Sequence, residues 1–132
     1  MTKTQLSEIK KIFASHPEIK LAYLFGSRAM GRVGPLSDYD FAVYFGEKTN
    51  KLKMSDLQLE LMVELGKYLH TDDVDVVVIN TSDNAILKFH TIAYSKLLLD
   101  RDGYKVMIEP RIVAEYLDFR QQLIKHNLTK IK

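Results

Sequence analysis

Tyr23 to Phe45 reads YLFGSRAMGRVGPLSDYDFAVYF, and this stretch decides how the chain folds. An apolar run ends at Phe25, Gly26-Ser27 makes a turn that can open a helix, Gly34-Pro35 marks a loop, and a second apolar run begins with Asp38-Tyr39-Asp40. Gly26 suits a place where the backbone must turn sharply and approach a ligand, since any side chain there would obstruct it. Ser27 begins the next helical turn, where unpaired backbone N–H groups favour an anion such as the terminal phosphates of a nucleotide. The serine hydroxyl adds a donor, and Arg28 adds either charge to the same group or a solvated surface cation.

Strand alternation sends residues i and i+2 to one face, so Asp38 and Asp40 project together with α-carbons roughly 6.7 Å apart. Ala42 and Tyr44 follow on that face, while Tyr39, Phe41, Val43 and Phe45 form an aromatic and aliphatic face suited to a core. Two neighbouring carboxylates repel unless cations lie between them, and their hard oxygens suit Mg²⁺ or Mn²⁺. A glycine-serine turn beside clustered acids is the chemistry of metal-assisted nucleotidyl transfer.

Working outward, Leu6, Ile9, Lys10 and Phe13 lie on a short helix that ends before Pro17, because the residue preceding proline avoids the helical region. Ile19 to Phe25 is the first strand and Asp38 to Phe45 the second. Leu57, Leu61, Leu65 and Leu69 recur every fourth residue in an amphipathic helix from Ser55 to His70, with Ser55 as N-cap. Asp73 to Ile79 reads as a third strand, and its continuous β-branched residues point to the interior of a sheet. A loop and helix cover Asn80 to about Tyr94, and a strand from Lys96 to Leu99 stops at the Asp102-Gly103 turn signal. A last helix runs from near Pro110, a residue tolerated at helix starts, to about Lys125. The expected fold class is α/β: a small mixed β-sheet with helices packed on one face and the carboxylates on the other.

Composition sets the bounds. A chain of 132 residues is expected to form a single domain over 1–132 with a substantial core. A net charge of +2, with no dense Lys/Arg patch interleaved with aromatics, gives no expectation of direct nucleic-acid binding. Cysteine is absent, which excludes disulfides and thiolate-held metals and fits a reducing, cytoplasmic location. The N-terminus has no apolar signal-peptide core, and no apolar run approaches membrane-spanning length, so neither secretion nor a membrane is expected. His16, His70, His90 and His126 are scattered without paired metal-ligand spacing and read as surface or helix-end residues.

Gly26-Ser27, Asp38-x-Asp40 and the later acid-strand Asp75 to Ile79 resemble the minimal nucleotidyltransferase (MNT) family of the polymerase-β-like superfamily. The similarity runs from Leu21 to about Phe119 and is nearest to the antitoxins of HEPN/MNT toxin–antitoxin pairs. On strand geometry alone Asp73 or Asp75 could supply a third acid. The resemblance favours Asp75, which directly precedes the apolar run. It implies that Asp38, Asp40 and Asp75 are catalytic and hold two Mg²⁺ ions, that Gly26, Ser27 and Arg28 hold the nucleotide, and that ATP is the donor. The implied activity is AMP transfer to a hydroxyl, on tyrosine in this family, of a partner HEPN-domain RNase toxin, which neutralises it in a type VII-like system.

Larger nucleotidyltransferases carry a second, acceptor-binding domain for which this chain has no residues, so the acceptor is expected on another polypeptide. Association with a helical toxin, with or without self-association, follows, and the apolar residues Ile112, Val113, Tyr116, Leu117, Phe119, Leu123 and Ile124 exceed what one narrow stripe needs. Two alternatives stand beside this reading: neutralisation by binding and occluding the toxin without catalysis, and transfer to a small molecule of aminoglycoside type.

Overall fold

The computed structural model describes residues 1–26 and 39–126. Their order is α1 (Lys3–Ala14), β1 (Ile19–Phe25), β2 (Tyr39–Phe45), α2 (Lys51–Leu69), β3 (Val74–Val78), a single 3-10 turn (Ile79–Thr81), α3 (Ala85–Ala93), β4 (Lys96–Asp100) and α4 (Tyr104–Lys125). The four strands lie in the order β3-β2-β1-β4. β1 is antiparallel to both neighbours and β2 is parallel to β3, so α2 is the crossover that a parallel pair requires. This is the expected mixed sheet.

Alternation along the strands divides the core in two. Ala22 and Leu24 of β1, Phe41, Val43 and Phe45 of β2 and Val74, Val76 and Val78 of β3 pack against Ile9 and Phe13 of α1 and Met54, Leu57, Leu61 and Leu65 of α2. The other face carries Leu21, Tyr23 and Ala42, which pack with Ile79 and with Ile108 and Ile112 of α4, flanked by Phe89 and Ile92 of α3. Helices therefore cover both faces of the sheet, not one, and the carboxylate face is shared with α3 and α4. An amphipathic stripe specifies that a helix buries one side and carries no mark of which sheet face receives it.

Three features differ from the sequence expectation for physical reasons. α2 begins at Lys51 because Asn50, not Ser55, is its N-cap, with Asn50 Oδ1 accepting from Lys53 N at 2.8 Å. β3 is an edge strand, not an interior one; α2 covers one of its faces, and Gln58 Nε2 donates to the Val76 carbonyl at 2.6 Å. α4 starts at Tyr104, after Gly103 with φ +70°, and carries Pro110 inside it. Proline deprives the Val106 carbonyl of its intrahelical donor, and Val106 is 78% exposed, so solvent can serve that oxygen.

Candidate active site

β1 ends at Phe25, and Gly26 leaves the strand with φ +81°, in the region that glycine enters without steric cost. Phe25 is the antiparallel partner of Asp40, so this turn lies directly beside the start of β2. A Cβ at position 26 would stand 2.7 Å from Oδ2 of Asp40. The space a side chain would take is thus already occupied by a carboxylate, a tighter constraint than the ligand approach that the sequence suggests.

Asp40 is in turn the register partner of Asp75 on β3. Paired residues on parallel neighbours point to the same face at an interstrand spacing of about 4.8 Å, so the two carboxylates lie side by side. Asp75 is exposed and Asp40 half-buried. Further along the same face the helices close in: Ala42 is buried against α4, and Tyr44 and Val77 pack at the margin of that cluster. The acids occupy the part of the face that precedes this cover.

The ladder that sets this register begins one residue earlier, where Tyr39 N donates to the Asp73 carbonyl at 2.9 Å. Asp73, the alternative third acid, precedes β3 and is exposed, and its own N–H donates to Thr71 Oγ1 at 3.0 Å. Asp73 therefore belongs to the turn into β3, while Asp75 lies within the strand, opposite Asp40. Of the sequence candidates, Gly26, Asp40 and Asp75 come together. Ser27, Arg28 and Asp38 lie outside the described residues.

What sequence reading missed is the helical cover on this face of the sheet. Phe89 of α3 stacks on Tyr116 of α4 with ring centroids 4.1 Å apart and planes 10° from parallel, and Lys88 Nζ lies 2.8 Å from Glu115 Oε1. These contacts lock α3 to α4 on the carboxylate face. The signal was a helix pattern in each segment, which does not name its partner. Chemically, a pair of hard carboxylate groups on adjacent strands fits Mg²⁺ or Mn²⁺.

Residues 7–104 match the family described as polymerase beta, nucleotidyltransferase. A protein adenylyltransferase MntA from Aphanizomenon flos-aquae is 30% identical over 138 residues, covering 99% of this chain and 83% of that protein. Among solved structures, a chain of the toxin–antitoxin with AMP-PNP superposes with a TM-score of 0.72 at 21% identity, covering 98% of this chain and 100% of that one. A chain of the tri-AMPylated Shewanella oneidensis HEPN toxin in complex with MNT antitoxin gives 0.69 at 22% identity, with 98% and 100% covered. At those identities the structural likeness is one of fold. The chain belongs to the polymerase beta nucleotidyltransferase family, in its MntA branch.

Proposed function

We propose that this member of the polymerase beta nucleotidyltransferase family is a cytoplasmic antitoxin. In this reading it transfers AMP from ATP to a hydroxyl, on tyrosine, of a HEPN-domain RNase toxin and so neutralises it. The observation that carries the reading is the register pairing of Asp40 with Asp75 beside the Gly26 turn, in a chain 30% identical to a protein adenylyltransferase. Residues 1–132 would act as one catalytic unit, with the acceptor supplied by the toxin. The exposed apolar side chains of α4, Leu117 and Ile124 among them, are a surface on which such a partner could rest.

Asp40 and Asp75, with Asp38, would hold two Mg²⁺ ions, which supply charge neutralisation for the phosphates and a lowered pKa for the attacking hydroxyl. The remaining work falls to the chain. The Gly26 turn lets backbone approach the β- and γ-phosphates, and Ser27 and Arg28 add donors there. The acceptor oxygen attacks the α-phosphorus, the bond to the β-phosphate breaks, and pyrophosphate leaves. Asp75 would take the hydroxyl proton. The product is an AMP ester on the partner.

The test is the double substitution Asp40→Asn with Asp75→Asn, which keeps shape and removes charge. Loss of groups that merely support metal ligands costs ~10–100-fold, so loss of two ligands should cut AMP transfer by more than about 100-fold. Intact mass of the toxin and protection of toxin-expressing cells are the readouts, with circular dichroism to establish folding. A folded double variant that still protects cells, with no modified toxin detectable, would replace catalysis by occlusion.

A further inference from the structure

His16, Glu60 and Glu64 converge although the glutamates lie 44 and 48 positions after the histidine in sequence. Their ligand atoms all lie within 4.8 Å of one another, and His16 Nε2 is 2.8 Å from Glu64 Oε1. We propose that these three side chains form a binding site for a first-row transition-metal ion, of which Zn²⁺ is the representative. An imidazole nitrogen with two carboxylates is a borderline donor set. It suits Zn²⁺ better than the all-oxygen preference of Mg²⁺ or Ca²⁺.

The arrangement is built in advance on both sides. Glu60 and Glu64 are one helical turn apart in α2 and so share a face. Like charges at that spacing destabilise a helix, and among the described residues Glu60 has no ion pair to relieve it. His16 sits in the turn between α1 and β1, its side chain 13% exposed. That turn is clamped by one guanidinium: Arg101 donates to the carbonyls of Ala14, His16 and Ile19 at 2.9, 3.0 and 2.9 Å. The clamp fixes the backbone from which the imidazole projects towards α2. Tetrahedral zinc with bonds of about 2.0–2.2 Å needs ligand atoms about 3.4 Å apart. The 2.8 Å His16–Glu64 contact therefore has to open slightly, and rotamer changes at exposed Glu60 complete the set, with water in the fourth position.

This site is separate from the carboxylate pair. α1 and α2 pack on the sheet face opposite Asp40 and Asp75. His16 precedes β1 whereas Gly26 follows it, about 20 Å of extended strand away. A bound ion would pin the α1–β1 turn to the middle of α2. It would also give the protein two classes of metal site, distinguishable by metal preference.

The test is titration of the purified full chain with Zn²⁺ alone, by competition with a chromophoric chelator and by the shift in thermal unfolding midpoint. Wild type should bind one saturable equivalent and unfold at a higher temperature with zinc. The Asp40→Asn/Asp75→Asn variant should do the same. His16→Gln should lose both effects, and Glu60→Gln, an exposed position that leaves the core untouched, should weaken binding at least about tenfold. The proposal is overturned if wild type shows no saturable zinc binding, if Glu60→Gln and His16→Gln bind as wild type does, or if zinc binding disappears with the Asp40/Asp75 pair.

Discussion

The two faces of the sheet are built to different specifications. Against α1 and α2 the buried side chains are hydrocarbon, with the Gln58 bond to the Val76 carbonyl at the edge: Phe13 and Phe41 meet with ring centroids 5.5 Å apart, and Leu61 and Leu65 are fully buried. Against α3 and α4 the described core holds polar ties. Tyr23, 1% exposed, donates its hydroxyl to Glu109 at 2.8 Å, and buried Lys88 reaches Glu115. That second face also carries Asp40 and Asp75. One face thus provides the rigid scaffold, and the other joins packing to chemistry, where charged groups must stay hydrated or partnered because burying them alone is costly.

The largest effect on activity that would sharpen this contrast is expected from Gly26→Ala. The new methyl meets Asp40 Oδ2 and sits at φ +81°, so either the turn or the carboxylate must shift. A displacement on the order of 1 Å in a catalytic group can cost about 100-fold in rate. AMP transfer should fall by about that factor while urea unfolding shows a modest loss of stability. Unchanged transfer would mean that the turn and the carboxylate are not coupled.

Stability compares the faces directly. Leu61→Ala on the scaffold face, at a position with no exposure, should cost about 4 kcal/mol, and Ile112→Ala on the other face, 5% exposed, about 2 kcal/mol, the spread arising from how far each site can collapse. Denaturant unfolding of the two variants measures both. Equal losses would erase the distinction.

The smallest effect concerns alkaline pH. Burial pushes the Tyr23 hydroxyl well above the usual tyrosine range, with the Glu109 hydrogen bond and the charges of Glu109 and Asp100 adding to it. A raised pKa means the folded state keeps a proton that the unfolded chain releases near pH ~10. The contribution is therefore complete below about pH 10 and declines as pH rises beyond it. Tyr104, pushed up to about 12 by its hydrogen bond to Glu47, adds to the same decline. Tyr23→Phe should make stability fall less steeply above pH ~10 without abolishing the slope, as followed by unfolding midpoints across that range. An unchanged slope would mean that Tyr23 does not carry the effect.

Much of this was legible beforehand. The YDFAVYF alternation set which side of β2 is core, and Phe41, Val43 and Phe45 are buried as that pattern requires. The leucine spacing of α2 placed Leu57, Leu61 and Leu65 inward. The preference for Asp75 over Asp73 rested mainly on resemblance, since the two share an alternation.

Local chemistry, then, was enough to settle which segments are strands and helices and which side of each is apolar, because those properties depend on neighbours a few residues away. Tertiary structure decided the rest: that β3 lies at an edge, that α3 and α4 cover the carboxylate face, that Asp40 and Asp75 share a register, and that His16 meets Glu60 and Glu64. Strand order and helix placement are set by the summed burial of many surfaces and by loop closure. No single stretch of sequence encodes contacts between residues so far apart along the chain.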